Sequence, residues 1–105
     1  MPPPVSTLKS IDAVTVPTVG GVLSFDTPKS EFGVQVLFTN AVSGNAIGLL
    51  EGTIDGTNFS RLADIVAGSL GSTILGFSGK PVTAVRINIT EIGSQGVVTA
   101  WIAVK

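Results

Sequence analysis

Alternation of apolar and polar side chains is the dominant pattern along this chain. It is clearest in Ala84-Val85-Arg86-Ile87-Asn88-Ile89-Thr90, where Val85, Ile87 and Ile89 alternate with Arg86, Asn88 and Thr90. A period of two predicts a strand with one buried face. In Val34-Gln35-Val36-Leu37-Phe38-Thr39 the inward residues are Val34, Val36 and Phe38, and Leu37 falls on the outward row. Around Leu50 the same parity turns Leu50, Gly52 and Ile54 inward, leaving Ile47 and Leu49 outward beside Glu51 and Thr53. The segment 97–104 is apolar on both rows, with Trp101 on the outer one. A strand of that kind is covered on both sides.

Runs rich in Val, Ile, Thr and Phe predict strands near 12–16, 21–25, 33–39, 45–54, 59–66, 72–77, 84–90 and 96–104. Between them stand Gly, Pro, Asn, Asp and Ser clusters, at 17–20, 26–30, 40–45, 55–58, 68–71, 78–81 and 93–96. Strands at this spacing point to an all-β fold: an antiparallel β-sandwich, jelly-roll or Ig-like, or a small barrel, of about eight strands. The predicted core is Val34, Val36, Phe38, Leu50, Ile54, Val85, Ile87, Ile89 and Ile102. Helical periodicity is confined to one possible turn over Ser60 to Val66, and no internal repeat is visible. Pro2-Pro3-Pro4 favours an extended polyproline II segment and cannot join a ladder. Residues 1–10 are therefore expected to form an extended N-terminal arm, and 11–105 a single domain.

Composition narrows the chemistry. The 105 residues contain no cysteine and no histidine. A disulfide framework, a Cys/His zinc site, a thiol nucleophile and a Ser-His-Asp triad are all excluded from this chain alone. Charged residues make up 12% of the chain, against a usual value of about 25%. The six basic residues (Lys9, Lys29, Arg61, Lys80, Arg86, Lys105) are scattered singly and the formal net charge is -1. Nothing there can neutralise a row of phosphates, so no nucleic-acid partner is expected. The N-terminal residues lack the basic and apolar regions of a secretory signal. No apolar run approaches the ~20 residues that span a bilayer. The expectation is a protein made in a cytoplasm, without a membrane partner. Its mean hydropathy of +0.56 is high for a lone soluble domain and predicts that apolar surface meets a partner.

The candidate motifs mostly read as turns. Gly76-Phe77-Ser78-Gly79-Lys80-Pro81 has Ile74 where a phosphate loop needs Gly and Pro81 where it needs Ser or Thr. Two glycosylation-like triplets, Asn58-Phe59-Ser60 and Asn88-Ile89-Thr90, carry no weight without a secretory signal. Glu51 and Asp55 would lie about 13 Å apart on one strand, too far for paired-carboxylate glycoside chemistry. Asp55-Gly56-Thr57-Asn58 lacks the alternating acidic ligands of a calcium loop and is a strong hairpin signal, with Gly56 expected at positive φ. No catalytic, cofactor or metal residue is nominated, and no enzyme activity is expected.

The segment Leu49-Leu50-Glu51-Gly52-Thr53-Ile54-Asp55-Gly56-Thr57-Asn58-Phe59 resembles a motif in structural proteins of tailed bacteriophages. Those proteins continue with a strand like Val85-Arg86-Ile87-Asn88-Ile89-Thr90, then a glycine-bearing turn and a strand like Val97-Val98-Thr99-Ala100-Trp101-Ile102. All three elements occur here in order, over roughly residues 34–104. Thr53 stands where serine is commoner and Phe59 where tryptophan is commoner, and the Gly93–Gly96 turn is slightly expanded. The same elements also resemble discoidin-like carbohydrate-binding sandwiches.

The resemblance implies a small β-sandwich that acts by adhesion, without cofactor or reaction, in the virion. The leading expectation is a capsid decoration (cement) protein that binds the major capsid protein on the capsid surface, after synthesis in the host bacterial cytoplasm. A homo-oligomer, first a trimer, is expected. The alternative is a tail or fibre module, or a carbohydrate-binding sandwich recognising a host surface. The residues nominated for the partner interface are Pro2, Pro3, Pro4 and Val5 of the arm, with Leu37, Ile47, Leu49 and Trp101 on outward rows.

Overall fold

The computed structural model describes residues 7–68 and 70–105. Within them lie six strands: β1 (Thr7–Val14), β2 (Thr18–Thr39), β3 (Ser43–Thr53), β4 (Ser60–Ala67), β5 (Gly71–Ser94) and β6 (Val97–Val104). They form one hydrogen-bonded sheet in the order β1-β6-β2-β5-β3-β4, every neighbour antiparallel. The sheet is open, with β1 and β4 at its edges, which corrects the small-barrel alternative.

The eight expected strands become six because two breakers are bends inside strands. Segments 21–25 and 33–39 both belong to β2, and 72–77 and 84–90 both belong to β5. The ladder between them slips at these points. Ser24 pairs with Ala84 and Lys29 with Val82, so extra residues including Pro28 accumulate on β2. Glu31 then pairs with Ser78, so extra residues including Pro81 accumulate on β5. A proline donates no ladder bond and is tolerated where pairing lapses. The prolines therefore bend the long strands without ending them.

These bends divide the sheet. One half contains β1, β6, the end of β2 and the start of β5. The other contains the start of β2, the end of β5, β3 and β4. Inward rows of both halves contribute to one core: Val34, Val36, Phe38, Val98, Ala100 and Ile102 from the first, Leu50, Ile65, Val85, Ile87 and Ile89 from the second. All the predicted core residues are buried except Ile54, which is 74% exposed. Strand β3 ends at Thr53, whose hydroxyl turns inward to accept from the Gly56 N–H at 3.1 Å, and Ile54 is thrown out on the turn.

The N-terminal boundary also moves. Thr7 to Ser10, expected within an arm, belong to β1, and Thr7, Leu8 and Lys9 pair with β6. Ser10 is buried, and its Oγ donates to the Gly21 carbonyl at 2.8 Å and accepts from the Ile87 N–H at 3.2 Å. A Cβ on Gly20 would overlap the Ser10 carbonyl, so glycine is what lets β1 approach β2 this closely. The rest of the expected arm, residues 1–6, lies outside the described residues.

Candidate partner-binding surface

The outer rows of the two halves carry four of the nominated interface residues, Leu37, Ile47, Leu49 and Trp101. On the first half, Lys9, Trp101, Gln35 and Ile74 lie side by side across β1, β6, β2 and β5. Lys9 Nζ stands 5.8 Å from the centroid of the Trp101 ring, a cation–π arrangement. In the next row Leu37 lies between Thr99 and Ser72, and Gln35 Nε2 donates to Ser72 Oγ at 2.9 Å. The sheet thus brings Trp101 and Leu37 onto one face, each partly covered by these neighbours.

Beside that row the surface drops. Ala103, Gly33 and Gly76 are adjacent on β6, β2 and β5. A Cβ built on Gly33 or Gly76 would meet nothing within 4 Å, so the two glycines leave a bare strip of backbone. Two shallow depressions of about 420 and 410 Å³ meet here, sharing Gly33 and Ala103. Trp101 and Ile74 stand on one side of the strip, Glu31, Ser78 and Lys105 on the other.

Ile47 and Leu49 lie on the other half and do not join Trp101. Leu49 sits between Asn88 and Asp64, and Ile47 opposite Val66. The adjoining row reads Val22, Arg86, Glu51, Arg61. Arg86 Nε donates to Glu51 Oε1 at 2.8 Å, and its guanidinium stacks on Phe59 at 4.0 Å from the ring centroid. Glu51 is largely covered in this arrangement, with a side-chain exposure of 12%. A charged pair therefore occupies the middle of this face, with both apolar neighbours (Val22, Leu49, Phe59) and polar ones (Asn88, Arg61, Asp64) around it. Pro2, Pro3, Pro4 and Val5 lie outside the described residues.

Several apolar residues are more exposed than Leu37, Ile47, Leu49 or Trp101. Ile74 is 74% exposed, and Val19, Val22 and Val66 are each about half exposed. The signal for Ile74 is parity: Thr73, Leu75 and Phe77 face inward, so Ile74 must face out. Val19 and Val22 are harder to place because the ladder slips between them, which breaks the period.

The turn after β3 is ordered by one carboxylate. Asp55 Oδ1 accepts from the Thr57 and Asn58 N–H groups, both at 2.8 Å, and from Thr53 Oγ1 at 2.9 Å; Oδ2 accepts from Asn58 Nδ2 at 2.7 Å. These bonds, that from the Asn58 N–H foremost, hold the Asp55 carboxyl well below the usual carboxylate range. Gly56 has φ +82°, as the Asp-Gly signal predicts. Both polar ends of the turn are thereby satisfied within the turn itself.

Among the described residues no three His, Cys, Asp or Glu side chains gather as metal ligands, and no helix is long and apolar enough to cross a membrane. What the geometry offers is contact surface: an aromatic and aliphatic face bordered by a bare backbone strip, and a second face built around Arg86 and Glu51.

No protein-family model matches the chain, and no curated protein matches it. A solved structure does. The crystal structure of the SPBc2 prophage-derived protein YomS is similar with a TM-score of 0.69 at 12% identity, over 100% of this chain and 96% of that one. At this identity the likeness establishes a shared fold.

Proposed function

We propose that the chain is a non-enzymatic structural protein of a phage virion, of the capsid decoration type, that works by adhesion to neighbouring capsid subunits. The observation that carries this reading is the outer face on which Trp101, Leu37 and Ile74 lie together, the last almost free of intramolecular cover. Fully burying one aliphatic or aromatic side chain contributes roughly 1.5–3 kcal/mol. Several such groups repeated over a shell add avidity without new kinds of contact. The prophage origin of YomS and the phage-like motif at 49–59 support the same setting. In this reading the protein acts as a homo-oligomer, a trimer being the first expectation, and both halves of the folded sheet serve as the layers of a sandwich.

A second reading is favoured by one feature. Trp101 stands beside an open depression together with Gln35 and Lys9, an aromatic platform with polar neighbours of the kind that stacks on a sugar ring. A tail or fibre module recognising a host glycan would use it. Glycan-array binding lost on Trp101→Ala separates this from shell adhesion. The shell reading is tested by co-sedimentation with purified heads: saturable binding supports it, and retention on tails alone overturns it.

A further inference from the structure

We infer that the bare strip over Ala103, Gly33 and Gly76 is the receptor for the proline-rich segment Met1–Ser6 of a neighbouring copy. This deepens the homo-oligomer of the proposed function and rests on that part of it alone. The strip begins where the segment joins the sheet: Thr7 pairs with Ala103 and lines the same depression as Gly33, Ile74 and Trp101. Its floor is backbone, because neither glycine has a side chain and neither position leaves anything within 4 Å of a Cβ. Polyproline II ligands dock against aromatic-lined grooves of this kind, where the prolines pack on the ring and their carbonyls take donors from the walls. Trp101 supplies the ring. Donors are available from its indole N–H, from the second hydrogen of the Gln35 amide and from Lys105.

The lengths agree. Six residues in polyproline II span about 19 Å. The strip on β6, β2 and β5 covers two strand spacings, about 10 Å, the length of about three polyproline II residues. The choice of a neighbouring copy follows from direction. Strand β1 runs antiparallel to β6, so its axis at Thr7 points past Val104 and Lys105, along the strands. Reaching its own strip would demand a sharp turn within Val5-Ser6, since the prolines at 2–4 fix φ and resist folding back. The strip on a second copy requires no such turn.

The chain has a single tryptophan, so Trp101 emission reports on the strip directly. The test uses the full chain, a deletion of residues 2–6, and the strip-filling variants Gly76→Leu and Gly33→Leu, with circular dichroism to verify the fold of each. Sedimentation and Trp101 emission are followed against concentration without any capsid present, so the result is independent of shell binding. The wild type is expected to associate with a concentration-dependent blue shift. The deletion and either Leu variant should each weaken association by about tenfold or more. Mixing the deletion, which keeps the strip, with Gly76→Leu, which keeps the segment, should restore hetero-association. A wild type that stays monomeric overturns the inference, as does a mixture that fails to associate. A concentration-independent shift that disappears in the deletion also overturns it, because the segment would then occupy its own strip.

Discussion

Ser10 accepts a hydrogen bond from the backbone N–H of Ile87, 77 residues further along the chain and on the other half of the folded sheet. Lys9 pairs with Trp101 and Ile11 with Ala100, so Ser10 is an extra residue in β1, a bulge that re-aims its side chain into the interior. There it also donates to Gly21. Ser10→Ala removes the partner of two backbone groups at once. The expected cost is about 1–3 kcal/mol, the penalty for leaving a buried polar group unsatisfied, read from the shift of a denaturant unfolding midpoint. A loss near zero would mean that water replaces the hydroxyl.

The two faces of the core are tested by contrast. Ile87, fully buried, should lose roughly 2–5 kcal/mol on truncation to Ala. Ile54, on the turn, should change stability by no more than about 0.5 kcal/mol when replaced by Ser. Equal losses at both positions would contradict the placement of Ile54 outside the core.

These two residues also show how far the fold was legible. Where strands are regular, as over 34–38 and 85–89, period two sorts the buried from the outward side chains by itself. Parity likewise places Leu37, Ile47, Leu49 and Trp101 on outward rows. It fails where the backbone departs from the period. The bulge at Ser10 brings two consecutive residues inward, and the segment 7–10 carries no alternation to mark it as a strand. Pro28 and Pro81 look like strand ends but sit at lapses in pairing within β2 and β5. Ile54 follows the alternation of β3 on paper, yet the hydrogen bonds of Thr53 and Asp55 end the strand before it. The bare strip depends on Gly33, Gly76 and Ala103 becoming neighbours, and that register is a tertiary fact absent from any local window.

Acid should act on the turn in one direction. The folded-state pKa of Asp55 is depressed, so its contribution is present above the ordinary carboxylate pKa, near 3.8, and is lost as pH falls through the lower folded value. Asp55→Asn lacks the charge at every pH. The gap in melting temperature between the wild type and this variant should be open at pH 7 and narrow steadily below about pH 4. A gap that stays constant into strong acid would show that the carboxylate charge contributes nothing to the turn.

Gly56 tests the backbone of the same turn. At φ +82° with open space around it, the obstacle to a side chain is conformational rather than steric contact with neighbours. Gly56→Ala should cost about 1–2 kcal/mol, the usual left-handed penalty for an L-residue, and Gly56→Val more, because branching at Cβ adds to it. Thermal melts decide it. Unchanged melting with loss of partner binding would instead identify the turn as a recognition loop.

Adhesion to a capsid is the central claim, and equilibrium binding to empty shells of the major capsid protein from the same genome measures it most directly. The wild type should bind saturably, and Ile74→Ser combined with Leu37→Ser should weaken binding by about tenfold or more while leaving the melting temperature nearly unchanged. Binding that is absent in the wild type, or undiminished in the double variant, would contradict the account.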